Sequence, residues 1–104
     1  MVEKESLNQE AKIAELAELA KALGHRHRVK IIKMLAEFPE NNKCMVSSIV
    51  EELPIAQSTV SQHLKILKEA GWIEGRIDGP RVCYCLKEGI LEYFKAEFDQ
   101  LLNS

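Results

Sequence analysis

Residues 46–71, VSSIVEELPIAQSTVSQHLKILKEAG, divide into a short amphipathic helix, a tight turn at Pro54 and a second, more polar helix, the pattern of a helix-turn-helix. In the second helix Val60, Leu64, Leu67 and Ala70 recur at helical spacing and form the anchoring face. The opposite face carries Gln57, Ser58, Thr59, Ser61, Gln62 and Lys65. Their amide, hydroxyl and ammonium groups are the types that read base edges and grip phosphates.

Outward from this stretch, the pattern on the C-terminal side switches from helical to alternating. Gly71 ends the helix, and residues 72–77 and 81–86 bracket Asp78-Gly79-Pro80. Alternation around a turn of this composition predicts a β-hairpin, and a hairpin beside a helix-turn-helix is a wing, spanning residues 72–86. Arg76 and Arg81 lie near its tip, where they are candidates for phosphate or minor-groove contact, and Trp72 is expected to pack its base. Residues 88–102 form a last helix with Ile90, Phe94, Phe98 and Leu101 in line and Leu91 and Leu102 beside them.

On the N-terminal side, Ser6 with Gln9 reads as a capping box opening a helix over residues 6–23, stopped by Gly24. Its apolar positions exceed one stripe, so a face is left for a partner. A second helix, residues 25–37, is expected to turn Val29, Ile32, Leu35 and Ala36 inward and to end before Phe38-Pro39. Residues 43–46 suggest a brief strand. His25 and His27, two apart on that helix, do not share a face and are expected to be solvated or capping rather than chelating.

With 104 residues, 46% hydrophobic and 29% charged, the chain suits one domain with a modest core that gains from dimerisation. No long apolar run and no signal-peptide pattern is present, so a cytoplasmic chain with no membrane contact is expected. The net charge of −2 argues mildly against nucleic acid. Yet Glu3, Glu5, Glu10, Glu15, Glu18, Glu92, Glu97 and Asp99 crowd the two ends, while Arg26, Arg28, Lys30, Lys33, Lys65, Lys68, Arg76 and Arg81 fill the centre. Catalysis is not expected: there is no Gly-rich phosphate loop and no cysteine in a nucleophile motif.

The stretch 57–67 (QSTVSQHLKIL), the EAGWI of residues 69–73 and the hairpin ending VCYCL at 82–86 resemble the ArsR/SmtB family of bacterial winged-helix repressors. The resemblance runs from about Leu16 to Leu102. It implies a mostly α fold with a small β-hairpin, a winged helix-turn-helix dimerising through the first and last helices. Each subunit is then expected to place its second reading helix in a major groove of double-stranded DNA, with release when an effector binds. Two-fold symmetry calls for a palindromic operator with half-sites ~34–36 Å apart. Gln57, Ser58, Ser61 and Gln62 are expected to read bases, and Thr59, His63, Lys65 and Lys68 to contact phosphate or hold register. The alternative is a winged-helix protein–protein interaction module, which would show no specific operator.

Two residues depart from the family pattern. Pro54 stands where glycine is usual in the turn, and Ala56 where serine usually caps the reading helix. The familiar thiolate pair of arsenic and cadmium sensors falls here on Met45 and Ser47, and the last helix has no histidine for a zinc site. What remains is Cys44, Cys83 and Cys85. Cys83 and Cys85 are two apart on one strand and share a face, expected to be the less buried one, with Tyr84 and Leu86 towards the core. A strand at residues 43–46 paired with the wing would bring Cys44 to them, forming a site for a thiophilic metal or metalloid such as arsenite, or a redox switch. The plainer reading is that free cysteine packs as a small hydrophobe.

Overall fold

The computed structural model describes residues 2–37, 53–79 and 81–103, with side chains from Asn8 onward other than those of Asp78, Arg81 and Val82. The expected strand at 43–46, the first helix of the helix-turn-helix and Cys44 lie outside the described residues. The elements in order are α1 (Val2–Ala22), α2 (Arg26–Glu37), α3 (Gln57–Ala70), β1 (Ile73–Asp78), β2 (Arg81–Leu86) and α4 (Ile90–Leu102).

α1 starts at Val2 rather than Ser6. The preceding Glu-Lys-Glu is composed of good helix formers, so nothing forces a boundary and Ser6 falls inside the helix. Leu16, Leu19 and Ala22 are its buried line. α2 begins one residue later than expected because His25 stands outside it, its Nδ1 accepting the His27 backbone N–H at 3.1 Å. The face that α2 buries is also rotated from the expected one. Ile31, Ile32 and Leu35 are enclosed, whereas Val29 is half exposed and Ala36 lies on the surface. Adjacent Ile31 and Ile32 let the apolar spacing be read on either of two faces, and packing against α3 and β2 selects one.

α1 packs on α3 and α4, and β1 lies against α3. The core is a single cluster of Leu16, Leu19, Ile31, Ile32, Leu35, Leu53, Val60, Leu64, Leu67, Trp72, Ile73 and Ile90, among others. Trp72 lies at its centre, its indole N–H donating to the Leu19 carbonyl at 2.7 Å, so that its one polar atom is satisfied inside the core. Its ring meets Phe94 at 5.3 Å between centroids, and Phe94 in turn meets Phe98 at 6.1 Å. α4 is further tied to α1 by polar contacts: Lys12 Nζ donates to the Tyr93 hydroxyl at 2.7 Å, Tyr93 donates to Glu15, and Lys12 pairs with Glu97 at 3.5 Å.

β1 and β2 form the expected antiparallel hairpin, registered Ile73↔Leu86 through Asp78↔Arg81, with Gly79 at φ 64° in the turn. No helix in the described residues is long and apolar enough to cross a membrane.

Candidate nucleic-acid interface

α3 is held at both ends by backbone geometry. At its start, the Ile55 N–H donates to the Leu53 carbonyl at 2.8 Å, a three-residue turn centred on Pro54. Proline's fixed negative φ suits such a turn and forbids the glycine-type one, so the departure from the family pattern is absorbed locally. Ala56 then occupies the N-cap with extended dihedrals and no side-chain cap, which leaves the positive end of the helix dipole open to an anion such as a backbone phosphate. At the other end Gly71, at φ 99°, donates to Lys68 O at 3.1 Å while Trp72 N–H donates to Leu67 O at 3.0 Å. This is a Schellman cap. It passes the chain directly from the reading helix into the buried tryptophan, so the helix, wing and α1 are rigidly joined.

The sequence-predicted readers are presented as a group. Gln57, Ser58, Thr59, Ser61, Gln62, Lys65 and Lys68 are all exposed, while Val60, Leu64 and Leu67 are buried. His63 is the correction. It is 6% exposed and cannot reach a phosphate. Being three residues after Val60 and four before Leu67, it belongs to the anchoring face, and that spacing was available in the sequence as the signal. Its Nδ1 lies 3.3 Å from Arg28 Nη1. Burial first, and then the neighbouring charges of His25, Arg28 and His27, hold its pKa below the usual 6.5.

Arg28, part of the central basic stretch, is likewise turned inward. Its Nε donates to the Ala22 carbonyl at 2.6 Å, closing the C-terminal end of α1 as a cation there is suited to do. In the wing Arg76 is exposed and paired with Glu74 at 3.3 Å, so phosphate contact there would exchange one anion for another. The Arg81 side chain lies outside the described residues.

The thiols are placed differently from expectation. Cys83 and Cys85 are only 6% and 4% exposed, whereas Tyr84 and Leu86 are half buried and pack against the core cluster. Both faces of β2 are therefore covered, with α2 packed on the strand, and free cysteine suits such enclosure as a small hydrophobe. Cys85 Sγ approaches the Glu74 carbonyl at 4.0 Å. A meeting of three thiols depends on Cys44, outside the described residues.

Residues 25–74 match the family described as bacterial regulatory protein, arsR family. The chain is 43% identical over 68 residues to an HTH-type transcriptional regulator of Methanocaldococcus jannaschii, covering 65% of this chain and 73% of that one. It is 31% identical over 97 residues to the biofilm growth-associated repressor of Xylella fastidiosa, covering 93% and 75%. Among solved structures, the homodimeric winged helix-turn-helix DNA-binding domain of a Mycobacterium bovis protein superposes with a TM-score of 0.69 at 26% identity, over 91% of this chain and 83% of that one. A polar reading helix on an apolar mount, a wing and these likenesses converge: the chain belongs to the arsR family of winged helix-turn-helix, DNA-binding transcriptional regulators.

Proposed function

We propose that the chain is a homodimeric repressor that grips a palindromic operator with α3 of each subunit and releases it in response to an effector. The observation that carries this reading is the division of α3 into a fully buried face and an exposed face of seven polar readers. A solvated helix has no need of the cap, turn and indole contacts that fix this one in place. Gln57, Ser58, Ser61 and Gln62, nearest the helix start, are assigned to base edges, and Thr59, Lys65 and Lys68 to phosphates. Dimerisation is assigned to the outer surfaces of α1 and α4, where Ile13, Phe98 and Leu102 remain exposed, in keeping with the homodimeric state named for the Mycobacterium bovis relative.

The test is fluorescence anisotropy with duplexes selected from a random library. Ser61→Ala with Gln62→Ala is expected to weaken the selected sequence by roughly 10-fold or more, the scale of one lost base contact, while binding to unselected DNA stays. Lys65→Ala is expected to weaken both and to lower the salt dependence by about one released ion. Equal binding by the double variant and the parent removes the assignment of these readers. A protein that selects no duplex at all is an interaction module instead.

A further inference from the structure

Three imidazoles meet behind the reading helix. His25 precedes α2, His27 lies in its first turn and His63 comes from the buried face of α3. One ring nitrogen of each lies within 4.8 Å of the others, with ring centroids 4.5 Å apart for His25 and His63 and 5.1 Å for His25 and His27. The helical rule that keeps positions i and i+2 on different faces does not govern His25 and His27, because His25 is outside the helix. Nε2 of the buried His63 has no hydrogen-bond partner among the described residues, an arrangement that costs ~1–3 kcal/mol when nothing fills it.

We propose that His25, His27 and His63 form a binding site for a divalent transition metal of the zinc type. Three imidazole nitrogens and one open position are a recurring tetrahedral donor set for such an ion, and the lack of an oxygen donor among the three excludes hard cations such as magnesium and calcium. Nitrogens bound at ~2.0–2.1 Å in a tetrahedron stand ~3.4 Å apart, so the cluster closes by about 1.4 Å from its widest separation of 4.8 Å, within the reach of ring rotation.

The protons set what loading changes. His25 Nδ1 accepts the His27 N–H, and His63 Nδ1 faces the Arg28 guanidinium, a donor only, so both neutral rings carry their proton on Nε2. An ion on Nε2 moves that proton to Nδ1, and an ion on Nδ1 takes the lone pair directly. Either way the two Nδ1 contacts are exchanged for metal bonds. Two of the ligands, His27 and His63, are biased towards the neutral form. His27 is held below the usual histidine range by desolvation and then by His25, Arg26 and Lys30, and deprotonated imidazole is the form that binds. The same cations repel a dication and cap the affinity. Release of Arg28 from His63 loosens a polar side-chain contact between α2 and the reading helix, beside the ring contact of His27 with His63 at 5.9 Å between centroids. That effect on DNA rests on the role proposed for α3, whereas the site itself does not.

The experiment is titration of metal-stripped, tag-free full chain with cobalt(II) in the absence of DNA, so that its failure leaves the DNA-reading role standing. Expected is one ion per chain with four-coordinate ligand-field bands and no thiolate-to-cobalt charge transfer, retained when all three cysteines become serine. His25→Asn, which keeps an acceptor for the His27 N–H, and His27→Gln, at a half-buried ring, preserve the fold by circular dichroism. Each is expected to weaken cobalt at least ~10-fold, no less than an outer-sphere partner is worth. Equal binding by these variants and the parent, a thiolate band, or no binding by the parent overturns the proposal.

Discussion

His63 shows how a single side chain on a reading helix can carry a solution signature. Its pKa lies below 6.5 in the folded chain, so as the pH drops through that value the unfolded chain takes up a proton that the folded chain refuses. Stability is therefore full above about pH 7.5 and declines as the pH falls past 6.5. In chelator-treated protein, the thermal midpoint is expected to drop between about pH 7.5 and about pH 5.5, and His63→Leu is expected to flatten that slope. A slope unchanged by the substitution would assign the decline to other groups. Val60, Leu64 and Leu67 were legible as core because apolar residues at helical spacing have few other uses. His63 carries the same spacing, but its polar ring is compatible with the exposed face too, so that signal is weaker for it than for its apolar neighbours. Ile31 escaped for a related reason: beside Ile32, it offers the helix two equivalent registers.

At the scale of elements, turn chemistry was the most legible feature. Gly71 and Gly79 stand where backbone at positive φ is required, and the wing strands fall within one residue of their expected bounds. The start of α1 was misplaced because a capping pattern is also compatible with a helix interior when the residues before it are helix formers. α3 begins without a side-chain cap, and this omission can be measured. Ala56→Ser supplies an oxygen to the first-turn N–H groups and is expected to raise stability by ~1 kcal/mol. In a domain of this size that is a rise of roughly 4–8 °C in the thermal midpoint, checked by scanning calorimetry. No rise would mean that the tight turn at Pro54 holds residue 56 out of capping geometry.

For the whole molecule, the radius of gyration of 15.8 Å exceeds the ~13 Å of a compact chain of this length. An extended subunit with 45% of Phe98 and 69% of Leu102 still exposed suits the pairing proposed for α1 and α4. The surplus apolar faces of the first and last helices were legible as a count of hydrophobic positions, although the sequence does not say what covers them. Phe98→Glu is expected to shift the protein to monomer in sedimentation velocity and to lower operator affinity with it, because two half-sites are then no longer held together. A dimer of unchanged strength would move the interface elsewhere.

The aromatic run Trp72–Phe94–Phe98 leads from the centre of the core to that exposed surface. Since Trp72 is the single tryptophan of the sequence, the protein carries its own optical reporter. Its emission comes from one dry site joined by backbone to the end of the reading helix and by ring contacts to the outer face of the last helix, so subunit pairing and DNA engagement can be followed in unlabelled protein.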